Sequence, residues 1–316
     1  MRNVHIPAFA KINLQLEIVG RRPDGYHELR TIFQAISLHD DLRMELLRKP
    51  GMEIVIRPGV EIPRAELAAL SSRENLVFRA LDALCRELGL RRGLRVELTK
   101  NIPIGRGLGG GSSDAAAALV GLLQLTRKRL PLARLLEIAS GLGADVPFFL
   151  FGGRALGVGR GDEVYPLPDG PRRAVVVVSP RDIAVNTREA YRWVAAALRQ
   201  VGASLTKRRA TPKLQSFCAL CWSSQGVGVS NDFEASVFQR HPRLRRIKQG
   251  LLQRGAAEAA LAGSGSAVFG IYPNPAQARR AARRFPGDQV FVVETLTRAQ
   301  YLRALRWRGP EAPSTK

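Results

Sequence analysis

Cysteine is scarce in this sequence, with three residues among 316. Cys218 and Cys221 form a Cys-x-x-Cys pair, but no second pair exists to complete the four ligands of a structural zinc site. Cys85 falls on the apolar side of a predicted helix, which favours a place in the core. The cysteines therefore support neither a disulfide framework nor a structural zinc centre, and a lone Cys-x-x-Cys is weak support for redox chemistry.

Long apolar runs are also absent. No run reaches the roughly 20 residues that a helix needs to cross a bilayer. The first residues, Met-Arg-Asn-Val-His-Ile-Pro-Ala, lack the apolar core and cleavage site of a secretory signal. We therefore expect a cytoplasmic protein with no membrane association.

Acidic residues are few relative to basic ones: 27 Asp and Glu face 49 Lys and Arg, for a net charge of +22. Such an excess is typical of nucleic-acid-binding proteins. Here the positive charge is spread over many predicted helices, with concentrations near 199–213, 240–254 and 279–308. Composition alone leaves two alternatives open, a protein that attracts anionic nucleotides and a basic nucleic-acid-binding protein.

The chain is long enough for two domains, and its apolar content of 45% is ordinary for a globular protein. A glycine-rich stretch at 152–162 predicts a tight hairpin that closes the first half, and the strand-like run 174–178 opens the second. We therefore expect one domain over 1–165, another over 166–308, and a flexible tail over 309–316.

The most informative stretch is a glycine-rich loop at 103–118, Pro-Ile-Gly-Arg-Gly-Leu-Gly-Gly-Gly-Ser-Ser-Asp-Ala-Ala-Ala-Ala. It lies between an alternating strand over 94–99 and a predicted helix over 115–125, with Ser-Ser-Asp at 112–114 as the expected N-terminal caps. Open backbone N–H groups and the helix dipole together predict a phosphate site. The spacing fits neither a P-loop ATPase nor a dinucleotide dehydrogenase. A flexible linker beside a helix is the open alternative.

Two other segments carry candidate catalytic groups. Residues 8–19 alternate as a strand, with Lys11 and Asn13 on the polar face, where a solvated surface is the simpler alternative. Asp145 directly precedes the apolar run 146–151, and a carboxylate in such surroundings needs a cation or hydrogen-bond donors. A helix N-cap at Asp145 is compatible with that role.

His39, Asp40 and Asp41 have the side chains of metal ligands. Consecutive residues converge poorly on one ion, so we predict a turn between the strand-like regions 29–38 and 44–57 instead. Elsewhere the periodicity predicts further elements of an α/β sandwich. The predicted elements are helices at 75–90, 131–140, 187–200, 231–254 (broken near Pro242), 275–285 and 297–306, a glycine-serine turn at 261–270, a strand at 289–295, and a variable loop at 201–229.

Three segments occur in the order found in the GHMP kinase superfamily of galactokinase, homoserine kinase, mevalonate kinase and phosphomevalonate kinase. They are Lys-Ile-Asn-Leu at 11–14, the glycine loop, and residues 261–269. The sequence resembles this superfamily over nearly its whole length. Further segments are similar to the branch that phosphorylates a cytidine diphosphate derivative of methylerythritol. They are Arg-Pro-Asp-Gly-Tyr-His-Glu-Leu at 22–29, Leu-Gly-Ala-Asp-Val-Pro-Phe-Phe at 142–149 and Asn-Asp-Phe-Glu at 231–234.

The resemblance implies a two-domain α+β fold. It comprises an N-terminal mixed-sheet α/β domain that carries the phosphate loop, a C-terminal α/β sandwich, and an active site in the cleft between them. It also implies that Lys11 and Asp145 are catalytic and that ATP binds with Mg²⁺. The resemblance does not identify the metal ligands, and Ser113 is the one candidate. We expect the partner to be a small molecule, without nucleic acid or membrane, and the protein to be a monomer or weak homodimer.

The resemblance assigns the remaining positions to two groups. The cofactor-binding group is Asn75, Lys100, Pro103, Gly105, Gly107, Gly109, Gly110, Gly111, Ser112 and Ser113. The substrate-binding group is Asn13, Tyr26, His27, Thr187 and Tyr191. Arg106 departs from the small residue expected in the loop, so it either contacts phosphate or points outward. A sister kinase acting on homoserine, mevalonate or a sugar stays an alternative.

Overall fold

The computed structural model describes residues 3–62, 67, 70, 72–200 and 228–307, without the side chains of 198–200. The strands are β1 (Asn3–Arg21), β2 (His27–Leu47), β3 (Met52–Pro58), β4 (Gly93–Lys100), β5 (Arg154–Gly159), β6 (Glu163–Pro166), β7 (Ala174–Ser179), β8 (Ser230–Asn231), β9 (Glu258–Leu261), β10 (Val268–Tyr272) and β11 (Gln289–Glu294). The helices are α1 (Leu76–Glu87), α2 (Gly110–Thr126), α3 (Leu132–Leu142), α4 (Phe148–Phe151), α5 (Thr187–Gln200), α6 (Glu234–Arg240), α7 (Pro242–Gln253), α8 (Pro275–Ala282) and α9 (Arg298–Ala304).

Two sheets form the framework. The first has the order β3-β4-β2-β1-β8, with β5 paired to β2 and to β6. It is mixed, because β3 runs parallel to β4 and β8 parallel to β1 while β1 and β2 are antiparallel. The second sheet has the order β11-β7-β10-β9 and is antiparallel throughout. The α+β class and the mixed first sheet are as predicted.

The two sheets pack face to face, and this packing explains why residues 174–178 of β7 are all apolar. Val175 and Val177 belong to the core shared with β1 and β2, whereas Val176 and Val178 belong to the core beneath α5 to α8. A strand buried on both faces has no solvent side and therefore lacks the polar alternation of a half-exposed strand. A third core lies between the first sheet and α1 to α4, so helices cover the outer face of each sheet.

The first strand is buried on both faces. Ile12 and Leu14 enter the core between the sheets, as the alternation predicts. Lys11 and Asn13 are also buried, so the alternative of a solvated polar face is wrong. The register with β2 shifts between Phe9 and Lys11 and again after Asn13, and such bulges redirect side chains at functional sites.

The helix after the glycine loop begins earlier than predicted. Gly109, in a left-handed conformation with φ 74°, is the N-cap of α2, and no side chain caps this end. Ser112 and Asp114 lie inside the helix, so the predicted Ser-Ser-Asp cap is wrong. Glycine suits this N-cap because a left-handed φ disfavours other residues. The first three N–H groups of α2 have no intrahelical carbonyl to bind and face outward from the helix end.

The predicted turn at His39, Asp40 and Asp41 is also wrong, because all three lie within the continuous strand β2. The predicted helices over 187–200 and 231–254, with its break at Pro242, are confirmed by α5, α6 and α7. Most of the predicted loop at 201–229, including both residues of the Cys-x-x-Cys pair, lies outside the described residues. So does the predicted tail.

The proposed boundary near residue 165 stays a prediction. Two elements from the second half join the first sheet and its core: β8 pairs with β1, and Tyr301 of α9 donates a hydrogen bond to the carbonyl of Phe149 at 2.7 Å.

Cys85 is a half-buried free thiol packed against the first core, as predicted. Within the described ranges, no helix combines the length and apolar character required to cross a membrane.

Candidate active site

A cleft of about 1410 Å³ opens beside the glycine loop. Its walls come from β1, the start of β2, the loop leading into α2, the turn after α3, the exposed face of α5, and the glycine-serine turn near Gly263. The cleft therefore collects residues from both halves of the chain. The predicted residues that line it are Lys11, Asn13, Tyr26, His27, Lys100, Pro103, Gly105, Gly107, Gly109, Gly110, Gly111, Ser112, Asp145, Thr187 and Tyr191.

Lys11 and Asp145 meet in this cleft. The Lys11 ammonium lies 3.3 Å from Asp145 Oδ2, and the Lys11 side chain is almost fully buried while that of Asp145 is 34% exposed. The Lys11 ammonium also donates to Asn13 Oδ1 at 2.8 Å, and Asn13 donates to Thr31 Oγ1 at 2.7 Å. This chain of hydrogen bonds fixes the ammonium next to a carboxylate that solvent or a ligand can reach.

The glycine loop packs tightly against its neighbours. The N–H of Lys11 donates to the carbonyl of Leu108 at 3.0 Å, which ties the loop to β1. A Cβ on Gly107 would lie 1.9 Å from the carbonyl oxygen of Ala262, and one on Gly109 would lie 2.8 Å from the Phe149 ring. Side chains are excluded at both positions. The loop thus presents bare backbone and the N-terminus of a 17-residue helix, an arrangement that fits a phosphate group.

Arg106 neither points outward nor reaches into open solvent. It is buried, and its guanidinium donates to the carbonyl of Ile183 and to Ser266 Oγ, the latter at 3.3 Å. Its own carbonyl accepts from the N–H of Ala267 at 3.2 Å. Arg106 therefore ties the glycine loop to the second glycine-serine turn, across the two halves of the chain.

Behind the loop lies a buried ionic cluster that the sequence pattern did not reveal. Lys100 donates to Asp40 and to Asp114, the latter at 2.6 Å, and all three side chains are buried. Asp40 Oδ1 also accepts from the backbone N–H groups of Asn101 and Ile102, at 2.5 and 2.7 Å. The cluster joins the strand that enters the loop to the helix that leaves it.

Burial and the charges of this cluster shift the pKa values of Asp114 and Lys100. Burial raises the pKa of Asp114 well above its usual range, and the Lys100 ammonium opposes that rise. For Lys100, burial alone would lower the pKa, but the carboxylates of Asp114 and Asp40 outweigh it and raise the pKa instead. Lys100 lines the cleft, yet its charge is already matched by buried carboxylates.

Two predicted cofactor residues do not line the cleft. Asn75 caps α1, accepting from the N–H of Val77 at 2.9 Å and donating to the carbonyl of Leu70 at 2.6 Å. Ser113 lies inside α2, 1% exposed, and its hydroxyl has no hydrogen-bond partner among the described residues. Their assigned roles remain predictions. The described residues contain no cluster of three His, Cys, Asp or Glu that could hold a metal ion.

The far end of the cleft is aromatic. The rings of His27 and Tyr191 stack with centroids 4.6 Å apart and planes inclined by 16°, and Phe233 meets Tyr191 edge-on. Burial, with a smaller effect from Arg21, lowers the pKa of His27 and thus favours its neutral ring. Burial also raises the pKa of Tyr191. This end offers neutral aromatic faces to a ligand.

Tyr26 and Thr187 complete the predicted substrate group. The Tyr26 side chain is 57% exposed, with the guanidinium of Arg160 at 5.0 Å from its ring centroid. Thr187 Oγ1 lies 2.9 Å from Ser264 Oγ, so the start of α5 contacts the second glycine-serine turn. Arg188 and Arg192 of α5 also line the cleft. Their four-residue spacing around Tyr191, on a helix predicted from sequence, was the signal that could have identified them.

Comparison with known proteins identifies the family. Residues 75–153 match the GHMP kinases N terminal domain, and residues 211–289 match the GHMP kinases C terminal family. A 4-diphosphocytidyl-2-C-methyl-D-erythritol kinase of Solibacter usitatus (strain Ellin6076) is 43% identical over 316 residues, covering 100% of this chain and 95% of the relative. The same kinase of Geotalea daltonii (strain DSM 22248 / JCM 15807 / FRC-32) is 38% identical over 94% of this chain and 100% of its own length.

The fold agrees with the sequence match. A crystal structure of 4-(cytidine 5'-diphospho)-2C-methyl-D-erythritol kinase superposes with a TM-score of 0.74 at 32% identity, covering 92% of this chain and 99% of that chain. The chain therefore belongs to the GHMP kinases and, within them, to the family of 4-diphosphocytidyl-2-C-methyl-D-erythritol kinases.

Proposed function

We propose that this protein is an ATP-dependent kinase for the 2-hydroxyl of 4-diphosphocytidyl-2-C-methyl-D-erythritol, a step in the non-mevalonate route to isoprenoid precursors. The observation that carries the proposal is the ion pair of Lys11 and Asp145, placed beside a glycine loop that fits phosphate. The names of relatives that match over nearly their full length supply the substrate.

Asp145 is the group that accepts the proton of the reacting hydroxyl. It is the one carboxylate among the described residues that line the cleft, and its exposure leaves it accessible to a substrate hydroxyl. Lys11 holds the carboxylate in place and can neutralise negative charge on the transferring phosphoryl group. Because phosphoryl-transfer transition states are loose, positioning and electrostatics contribute more than complete proton abstraction.

The backbone of the glycine loop would hold the phosphates of ATP, which supplies the phosphoryl group when bound. The N–H groups of Gly110, Gly111 and Ser112, at the start of α2, have no intrahelical carbonyl partner, and all three residues line the cleft. Mg²⁺ commonly binds through one or two carboxylates together with substrate phosphates and water. Asp145 is the one carboxylate that the described lining residues offer to such an ion, which would neutralise phosphate charge.

The aromatic end of the cleft would hold the cytosine ring. His27 and Tyr191 are in direct contact, so a base cannot lie between them in this arrangement. It would stack instead on an outer aromatic face, with Tyr26 as the most exposed ring. Asn13, which accepts from Lys11, and Thr187, one helical turn before Tyr191, line the same cleft and would bind the erythritol portion by hydrogen bonds.

A coupled assay for ADP release tests this function. We expect release that depends on the cytidyl-methylerythritol substrate, with homoserine, mevalonate and galactose giving at most background rates. A sister kinase is the second candidate because the same superfamily fold serves those substrates. ADP release with one of them, and none with the cytidyl substrate, would replace the proposed substrate while keeping the kinase chemistry.

We also propose that the protein acts in the cytoplasm as a monomer or weak homodimer, without nucleic acid, and that its domains divide near residue 165. Among the described residues, four large apolar side chains are exposed, namely Tyr26, Tyr165, Leu252 and Val292. Stable dimers usually need a larger contiguous apolar patch. Light scattering on the purified protein, with and without added RNA, tests the oligomeric and nucleic-acid parts of this proposal.

A further inference from the structure

The charges that line the cleft are unbalanced. Among the described residues that line it, eight side chains are cationic and one, Asp145, is a carboxylate. Four of these cations already have a carboxylate or carbonyl partner within the protein. Lys11 pairs with Asp145, Lys100 with two buried carboxylates, and Arg160 with Asp162, while Arg106 donates to a backbone carbonyl. The others lack a carboxylate within 4 Å among the described residues.

Two of these unmatched cations, Arg188 and Arg192, lie on α5. Residues four apart on a helix project from the same face, one turn from each other. Like charges in that relation repel. Neither guanidinium has an ion pair or a side-chain hydrogen bond within the described part of the chain, and both side chains are exposed to the cleft. An anion bound between them would relieve the repulsion.

The position of α5 indicates which anion this is. At its start, Thr187 contacts Ser264, and the neighbouring Gly263 approaches the ammonium of Lys11. One turn further along, Tyr191 stacks on His27. The helix therefore runs from the catalytic pair toward the aromatic end. In the proposed substrate, the diphosphate joins the cytidine to the methylerythritol and must span the same interval.

We propose that Arg188 and Arg192 form the binding subsite for the diphosphate of the substrate, an inference that rests on the proposed function. Guanidinium groups form paired, charge-assisted hydrogen bonds to phosphate oxygens. The nucleotide specificity of the cleft then comes from two features of α5. Tyr191 provides an aromatic surface for the base, and the flanking arginines bind the charge next to it.

Calorimetric titration with cytidine, CMP and CDP tests the subsite without turnover. A saturating non-hydrolysable ATP analogue blocks the loop, so that only the substrate end of the cleft is titrated. We expect wild-type protein to bind CDP at least about tenfold more tightly than cytidine, as one charge-assisted contact of about 1.4 kcal/mol would give. Arg188→Gln and Arg192→Gln should each reduce that ratio several-fold, with cytidine affinity unchanged.

Arg245→Gln is the matched control. Arg245 is exposed on α7, has no ionic partner among the described residues and does not line the cleft, so its loss changes the net charge equally. The control should keep the wild-type ratio of CDP to cytidine affinity. Steady-state kinetics should show a raised KM for the cytidyl substrate in the two α5 variants, with the KM for ATP unchanged.

The outcomes separate this inference from the function on which it rests. If wild-type protein prefers CDP and the α5 variants keep that preference, the subsite lies elsewhere while the kinase assignment stands. If Arg245→Gln lowers the ratio of CDP to cytidine affinity as much as the α5 variants do, the effect comes from the lower net charge of the protein, and the subsite is rejected. If wild-type protein binds no cytidine nucleotide, both the subsite and the proposed substrate are rejected.

Discussion

Lys11 and Asp145 form an ion pair 3.3 Å long, although one lies on the first strand and the other follows α3. The two side chains differ in solvent exposure. The ammonium is buried and also donates to Asn13, whereas the carboxylate is partly open to the cleft. A fixed cation beside an accessible carboxylate is the arrangement that proton acceptance from a bound hydroxyl requires.

The first prediction concerns this carboxylate. Asp145→Asn removes the proton acceptor while keeping the shape of the side chain, so kcat should fall by a factor of about 100 or more, the usual range for general-base catalysis. The melting temperature should change little because the amide oxygen of the new side chain can still accept from the Lys11 ammonium. Stopped-flow or coupled ADP release with saturating substrates measures the effect.

Asp82→Asn serves as the control for this experiment. Asp82 lies on α1, pairs with Arg86 on the helix surface and does not line the cleft. Its substitution should leave kcat at the wild-type value. Turnover by Asp145→Asn within a few-fold of wild type would remove Asp145 from the mechanism.

The second prediction compares the two buried carboxylates around Lys100. Asp40 accepts from Lys100 and from two backbone N–H groups, so Asp40→Asn places an amide donor against existing donors. We expect a loss of about 3–5 kcal/mol in the free energy of unfolding, the usual cost of breaking a buried ion pair. Asp114 bonds Lys100 through Oδ2 alone, and its Oδ1 has no hydrogen-bond partner among the described residues.

In Asp114→Asn the amide oxygen can therefore still accept from Lys100. The substitution also removes the cost of burying a charged carboxylate at this position. We expect its free energy of unfolding to lie within about 1 kcal/mol of wild type. Urea denaturation of both variants followed by circular dichroism makes the comparison. Equal destabilisation by the two substitutions would contradict the unequal hydrogen bonding of the two carboxylates.

Local patterns predicted much of this molecule. The alternation of β1, the amphipathic α5 and the glycine loop each depend on neighbours in the sequence, and all three are in the structure. The motifs also selected Lys11 and Asp145, which the structure brings together. Such features are readable because the physical constraint and the residues that satisfy it lie in one segment.

The wrong predictions have one physical cause: tertiary contacts with residues far away in the sequence determine the structure at these positions. The polar neighbours of Asp40 predict a turn, yet its carboxylate is buried and accepts from Lys100, 60 residues further along the chain. Ser112 and Asp114 have the side chains of helix caps, but the left-handed Gly109 starts the helix before them. Arg106 is buried because it binds the backbone of Ile183 in the other half of the chain. No local window contains these partners.

The third prediction tests the close packing of the glycine loop. At Gly107, φ is +79° and a Cβ would lie 1.9 Å from the Ala262 carbonyl oxygen, so Gly107→Ala must push the loop away from the second glycine-serine turn. We expect the KM for ATP to rise more than about tenfold, since the loop amides lose their common direction. Steady-state kinetics at varied ATP concentration measures this change.

Gly105→Ala is the matched control for that experiment. Gly105 has a similar φ of +63°, but its Cβ position has no atom within 4 Å. It should suffer only the left-handed backbone penalty of about 1–2 kcal/mol in stability, with a much smaller change in the KM for ATP. If the two variants raise the KM for ATP equally, backbone conformation rather than loop contact explains the loss.

The fourth prediction concerns pH and His27. Burial and the nearby Arg21 lower the pKa of His27 in the folded protein below its ordinary value of 6.5. As pH falls through 6.5, the unfolded chain therefore binds a proton that the folded chain does not, and the free energy of unfolding decreases. Above that pH the ring is neutral in both states, so this contribution to stability is fully present.

Urea denaturation between pH 5 and 8 checks this dependence. His27→Gln removes the proton uptake by the unfolded chain at this position, so the variant should lose less stability than wild type between pH 7 and pH 5. His5→Gln, which removes an exposed histidine, should retain the acid-side decrease that His27 causes. Parallel curves for wild type and His27→Gln would show that the stacked ring titrates as freely as it does in the unfolded chain, and would remove the basis for treating it as a neutral surface for the base.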